Sequence, residues 1–302
     1  MLIRARIALV AVAVLARSAA AQDHQYAPLI VRLPSSARYL AMGNAAMGSR
    51  DDDVLFYNPA QIVVARGMSA SAEQFSSTIH GGALSSVTRF NSGGIALGAE
   101  MLSGRVHANS YPLGIGDLST PNRRGTSLTS LVVSAGFAQV YKSLRVGVAA
   151  KYVEDDVDGF QLGRGLVDIG LSKDLFRGYT FGLALQNLGK RNTLFGESID
   201  LPTRLTFGAA NGRQAGPFDL LMTAEVSAMR GGWIAPAGGA ELAYSWLDGY
   251  TVALRAGARR PMQGQEPMTA GAGLTIDRVS FDYALETAAH SRFGHRIGLR
   301  VR

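Results

Sequence analysis

The stretch Val279-Ser280-Phe281-Asp282-Tyr283-Ala284-Leu285-Glu286 puts Val, Phe, Tyr and Leu on one parity and Ser, Asp, Ala and Glu on the other. Extended chain imposes this two-residue period, because successive side chains leave a β-strand on opposite faces. Tyr250 to Arg259 repeats it, and at the end Ile297, Leu299 and Val301 alternate with Arg296, Gly298, Arg300 and Arg302. Upstream, Val146, Val148 and Tyr152 alternate with Arg145, Gly147 and Lys151, and Leu205 and Phe207 with Arg204, Thr206 and Gly208. Phe218, Leu220, Met222 and Val226 alternate with Asp219 and Glu225, as do Leu242, Tyr244 and Trp246 with Glu241 and Ser245.

About fourteen such segments of roughly ten residues follow one another, near 68–79, 82–90, 93–102, 127–140, 143–153, 163–173, 179–187, 202–211, 217–227, 237–246, 250–260, 267–276, 278–287 and 294–302. An even count lets an antiparallel sheet close on itself with both chain ends on one side. The links test this independently. Asn91-Ser92, Tyr141-Lys142, Asp174 to Gly178, Leu247-Asp248-Gly249 and Ile276-Asp277-Arg278 are short, whereas 103–126, 154–162, 188–201, 228–236, 261–266 and 288–293 are longer. The two sets fall on opposite ends, with His80-Gly81 the exception, as periplasmic turns and extracellular loops do in outer-membrane barrels. The expected fold is all-β: a transmembrane antiparallel β-barrel of about 14 strands, both termini periplasmic. A soluble sandwich alternates too, but usually sets charged residues on its open face; here that face carries Gly, Ala, Ser and scattered charges, which suits a crowded polar lumen. The charges expected there are Arg145, Lys151, Arg204, Glu225, Glu241, Arg255, Arg259, Asp282, Glu286, Arg296 and Arg300. Tyr244, Trp246, Tyr250 and Tyr283 fall on the apolar parity and read as outward aromatics of an interfacial girdle.

Composition agrees. The chain is 47% hydrophobic with 36 glycines, and past the N-terminus no run of about 18 apolar residues offers a membrane helix. Residues 1–21 read as a secretory signal peptide: Arg4 and Arg6 lie before an apolar core, Ile7 to Ala16, and Ala19-Ala20-Ala21 offers a cleavage site. Losing Arg4, Arg6 and Arg17 lowers the formal charge from +7 to +4, which removes most support for nucleic-acid binding. With no cysteine there is no disulfide, thiolate metal site or catalytic thiol. That leaves 22–66 as an N-terminal extension and 67–302 as the barrel.

Within the extension, Asp51-Asp52-Asp53-Val54-Leu55-Phe56-Tyr57-Asn58-Pro59-Ala60-Gln61 carries a helix-start signal. Asn58 is a good N-cap, Pro59 suits the first helical position, and Gln61 stands where a capping box wants an amide. Consecutive carboxylates point in different directions and lack the alternating spacing of a calcium loop. Of His24, His80, His107, His290 and His295, none is spaced for zinc. His290, Ser291 and His295 lie around the last outer link, with no acid placed to complete a hydrolase. No catalytic residue, metal or cofactor is expected. Trp233 and Ile234, and the longest external link, Ser103 to Thr126 with Tyr111, Pro112 and Arg123-Arg124, are the candidates for seating a partner or an apolar ligand.

Several motifs in order resemble the PorV/PorQ family of outer-membrane proteins, relatives of the FadL-type transporters. They are Ala37-Arg38-Tyr39-Leu40-Ala41-Met42-Gly43-Asn44-Ala45 with Tyr57-Asn58-Pro59-Ala60; Gly182-Leu183-Ala184-Leu185-Gln186-Asn187-Leu188-Gly189; Leu201-Pro202-Thr203-Arg204-Leu205; Ala253-Leu254-Arg255-Ala256-Gly257; and Phe281-Asp282-Tyr283-Ala284 with His295-Arg296-Ile297. Two departures stand out: Gln61 where the family commonly has glycine, and a Val301-Arg302 end where many barrels finish on an aromatic. The resemblance implies an N-terminal plug inside the barrel, with Asn58, Pro59, Ala60 and Gln61 as its turn. Asp51 to Asp53 are then expected to meet arginines of the wall such as Arg145, Arg204, Arg255 or Arg296, since unpaired charges there are costly.

The resemblance implies one of two non-enzymatic functions in the outer membrane of a Gram-negative-type bacterium. The PorV-like one, which the motifs favour, supports protein secretion or surface attachment in a type IX-like system, with secreted cargo or secretion components as partners. The FadL-like alternative is passive uptake of hydrophobic small molecules, moving when the plug shifts. The remaining partner is outer-membrane lipid.

Overall fold

The computed structural model describes residues 28–106, 125–175, 178–190, 192–194, 197–230, 232–261, 265–288 and 292–302. The expected leader, most of the 103–126 link, and His24, His107, His290 and Ser291 lie outside these residues. Strands β1 (Gly67–Ser76), β2 (Ile79–Phe90), β3 (Gly93–Val106), β4 (Thr126–Tyr141), β5 (Leu144–Val157), β6 (Phe160–Asp174) and β7 (Tyr179–Gly189) are joined by β10 (Arg204–Ala215), β11 (Phe218–Met229), β12 (Ile234–Leu247), β13 (Tyr250–Arg259), β14 (Gln265–Ile276), β15 (Val279–Ala288) and β16 (Arg292–Val301). Each pairs antiparallel with its chain neighbour, and β1 pairs with β16, so the fourteen strands form a closed barrel without an edge. A two-stranded hairpin, β8 (Asn192–Leu194) with β9 (Glu197–Ile199), stands in the link after β7.

Along most of each strand one parity faces inward and the other outward. In β4 burial alternates residue by residue: Leu128, Ser130, Val132, Ser134 and Ala138 are buried, while Leu131, Val133 and Phe137 are exposed. Exposed Met, Leu, Ile, Val, Phe, Tyr and Trp recur on every strand of the ring, a surface that water does not tolerate and lipid does. No helix among the described residues is long and apolar enough to cross a membrane; a closed barrel can cross with strands instead. Outward aromatics gather toward one rim, where Phe90 and Phe137, Tyr179 and Phe181, Phe218 and Tyr244, and Trp246 and Tyr250 sit ring against ring. The aromatic rim is the one where β1 begins, β16 ends and the short turns lie.

Most of those turns are two residues long: 91–92, 142–143, 216–217, 248–249 and 277–278. Asn91, Lys142 and Asp277 take positive φ, the mirror-image turn geometry that matches strand twist. The expected asymmetry has two exceptions at the opposite rim. One is the 77–78 turn; the other is the link expected over 154–162, where the strands run on to a two-residue turn at Asp158-Gly159, φ +49° and +87°. Glu154, Asp155 and Asp156 look like loop residues, but ladder pairing with Gly163, Leu162 and Gln161 outweighs their poor strand propensity.

Residues 29–65 run as short turns against the inward faces of the strands. Ala37–Leu40 is a single helical turn on β14 to β16, and the 3₁₀ turn Pro59–Val63 lies on β2 to β6. The wall admits this segment through glycine. A Cβ on Gly239 or Gly257 would strike the Met42 backbone, and one on Gly147 or Gly170 would strike Pro59 or Asn58. Inward glycine is thus close backbone approach.

Candidate functional site

Two regions of different chemistry face the interior. The first is apolar and lies toward the loop rim. Phe75, Ile79, Leu102, Leu128, Val132, Val153 and Leu166 project inward from β1 to β6 and, with Leu201, surround Leu29, Ile30, Val31 and Leu33 of the N-terminal segment. On β5 and β6 the break in the sequence's polar-inside rule is confined to one end, for further along the same parity carries Lys151 and Asp168. Reading the inner parity as uniformly polar misses this chamber, although the run of large apolar residues on it is visible once strand direction is followed.

The second region is a closed circuit of charges toward the turn rim, across β12 to β16. Arg38 of the N-terminal segment donates to Glu241 through Nε and Nη2 at 2.8 and 2.6 Å. Glu241 also accepts from Arg255 Nε at 2.5 Å, and Arg255 ion-pairs with Asp282 at 2.7 Å. Asp282 accepts from Arg300 Nε at 2.7 Å; Arg300 reaches Asp51 at 3.2 Å, and Asp51 returns to Arg38. Tyr39 adds its hydroxyl to Asp51 at 2.9 Å. Buried charges survive only when paired and hydrogen-bonded, and here each acid is met by at least two cations.

The other expected charges also lie on the inner face. Lys151 pairs with Asp168 at 2.6 Å, Arg145 with Asp174 at 2.7 Å, Arg259 with Glu286, and Arg296 with Glu73. Arg204 Nε donates to Gln186 at 2.8 Å, and Glu225 accepts the backbone N–H groups of Ala46 and Met47 at 2.9 and 3.0 Å. Glu73, Glu100, Asp155, Arg164 and Asp168 belong to the same set and carry the same parity signal, yet the expected set omits them. Arg38 lies outside any strand, so no periodicity points to it.

Asp51 does not meet the expected wall residues. Its partners are Arg38, Arg300 and Arg302, because the chain reverses between Arg38 and Asp51 and delivers the carboxylate beside the end of β16. Asp53 accepts from Ser69 and Ser85, not from an arginine. In the Asn58 turn, the side-chain oxygen caps Ala60 N–H at 3.1 Å, but no capping box forms. Gln61 turns its amide to the Met47 carbonyl at 3.5 Å, and the Asn58 N–H goes to Val54 O at 2.8 Å. The fully buried Asn58 also donates to Met47 O and Leu171 O, at 3.3 and 3.2 Å, tying the turn to β6.

Tyr57 binds three parts of the segment: its oxygen accepts from Ser35 and Ser36 N–H at 3.1 and 3.3 Å, and its hydroxyl donates to Asn44 at 2.9 Å. Burial pushes that hydroxyl well above the usual tyrosine value. At the loop rim, Trp233 lies between the guanidinium groups of Arg32 and Arg260, 6.0 and 5.3 Å from the ring centre. Tyr244, Trp246, Tyr250 and Tyr283 lie on the outer face, and His295 is there too, hydrogen-bonded to Tyr283 at 2.7 Å.

No protein-family model matches the chain, and no curated protein matches it. Solved structures do. The Pseudomonas putida toluene transporter TodX aligns over 92% of this chain and 97% of its own at 11% identity, TM-score 0.56. CymD, a monoaromatic hydrocarbon channel, aligns over 91% and 97% at 11% identity, TM-score 0.61. A Pseudomonas aeruginosa FadL homologue aligns over 88% and 97% at 9% identity, TM-score 0.57. At such identities the likeness is one of fold, and the chain has the barrel fold of FadL-type outer-membrane channels.

Proposed function

We propose that this protein is a passive outer-membrane channel for small hydrophobic molecules, without catalytic activity. The short-turn rim, where β16 ends, faces the periplasm, and residues 29–66 act as the plug. The observation that carries the reading is the interior apolar chamber: in the lumen of a water-facing porin those positions would be polar, whereas here the chain's own Leu29, Ile30, Val31 and Leu33 stand where an apolar solute would be at home. The neighbours in fold support the same class of solute, being transporters and channels of aromatic hydrocarbons. They support this alternative better than the secretion reading favoured by the motifs.

The test is uptake. Cells or vesicles carrying the protein should accumulate a monoaromatic probe such as toluene faster than controls, and replacing Leu29, Ile30, Val31 and Leu33 by serine should alter that rate. Leu128→Arg, which places a cation in the chamber, should abolish it. No acceleration by the folded wild-type protein would end this reading. In the secretion-supporting role the segment would be static, held to β12 by Arg38–Glu241 and to β16 by Asp51–Arg300. That role predicts exported cargo stranded in the periplasm of a deletion strain; normal surface display would remove it.

A further inference from the structure

The acidic run takes no part in the apolar chamber, and its first and third members reach different strands. Asp51 binds Arg300 of β16 at 3.2 Å and Arg302 just beyond it. Asp53 accepts from Ser69 of β1 and from Ser85 of β2, the latter at 3.4 Å, while the two serines bond each other at 2.7 Å. Ser69 and Arg300 are partners across the β1/β16 pairing. Two carboxylates two positions apart therefore hold the two residues that face each other where the ring closes. Both are buried.

The same junction carries a second set of bonds. Glu73 and Arg296, also direct partners, form an ion pair; Arg296 reaches Ser71 at 3.3 Å, and Ser71 donates to Ser35 O at 2.9 Å. Ala37–Leu40 packs on β14 to β16, and Asp52–Phe56 packs on β1 and β2, so the segment spans the junction from inside.

We propose that the N-terminal segment has a second function, as the clasp that closes the barrel, with Asp51 and Asp53 capturing β16 beside β1. The physical need is specific to this pairing. Every other strand pairs with its chain neighbour, but Glu73 and Arg296 are 223 positions apart, so β1/β16 closure bears the largest entropic cost in the chain. Asp53 lies only 16 positions from Ser69, so a half-site can form on β1 before β16 arrives. Arriving β16 supplies Arg300, with Arg302 just beyond it, as partners for Asp51. Asp51 is held ready by Arg38, Tyr39 and Ser49 on its own segment.

The test uses the full-length protein folded from urea into lipid vesicles, with amide exchange read strand by strand. D51N and D53N keep size and remove charge. Each should raise exchange in β1 and β16 about tenfold, the loss of one or two charge-assisted bonds, and leave β4 and β5 unchanged. Each should also delay the compact, heat-modifiable band in gel assays. D168N, which breaks the Lys151 pair elsewhere in the wall, should loosen β5 to β7 and leave the junction alone. Exchange that rises evenly round the ring in D51N and D53N, or does not rise, overturns the proposal. If neither variant folds, Arg302→Met decides, because Arg302 is part-exposed and its loss is tolerable. R302M should loosen the junction alone, and unchanged exchange there overturns the clasp.

Discussion

At the scale of single residues, the interior depends on paired charges whose removal is asymmetric. Lys151 and Asp168 are both buried and lie 2.6 Å apart, and Asp168 also accepts the Asn187 N–H at 2.7 Å. Lys151→Met leaves a buried carboxylate without its cation, at an expected cost of about 3–5 kcal/mol. The double variant K151M/D168L should recover most of that loss. Urea midpoints across the four proteins measure the coupling, and additive losses would show the pair to be solvated. Tyr57 gives a pH signature. Its folded-state pKa lies above the ordinary 10, so the unfolded chain ionises first as pH rises. The stability due to keeping this hydroxyl neutral is complete below pH 10 and is lost progressively above it. Protease resistance of the N-terminal segment should therefore fall above about pH 10, and Tyr57→Phe should flatten that dependence while costing about 1–3 kcal/mol for orphaned donors.

At the scale of elements, the strands and the segment they enclose are fitted to each other through backbone. β13 presents Gly257 to the Gly43 N–H and the Met42 backbone, and Gly43 itself holds φ +71° with its N–H bonded to Thr269 at 3.0 Å. Gly257→Val should therefore push residues 40–44 off the wall. Outward positions nearby tolerate bulk: Leu254 and Val252 already occupy them. Limited proteolysis should cleave G257V near residues 40–50 and spare the wild type, while the strand circular-dichroism signal stays unchanged. The alternation in VSFDYALE made each strand legible, and the strand bounds read from it fall near those observed. Polar residues at strand ends were not legible. Asp155 and Asp156 look like a loop by propensity, and only pairing with β6 keeps them in register.

At the scale of the molecule, closure joins the two interior regions into one object. The charge circuit fixes the segment to β12 through Arg38–Glu241 and to β16 through Asp51–Arg300, while Leu29 to Leu33 are held in the apolar chamber on β1 to β6 by burial. Removing Arg38 and Arg255 together, as R38M/R255M, should free the segment and raise single-channel conductance in planar bilayers severalfold. Equal conductance would mean that the chamber side alone holds it.

By itself the sequence determined a lipid-facing barrel of fourteen strands, because a two-residue period is a property of local chain geometry and each strand carries its own copy. It also marked which parity turns inward, so Arg255, Asp282 and Arg296 were legible as interior charges. Which charge meets which was decided only by the tertiary structure. Asp51 and Arg300 are brought together by ring closure and by the reversal of the chain between Arg38 and Asp51, and that reversal leaves no periodic trace. The apolar chamber likewise exists only because closure gathers one end of several separate strands around Leu29 to Leu33.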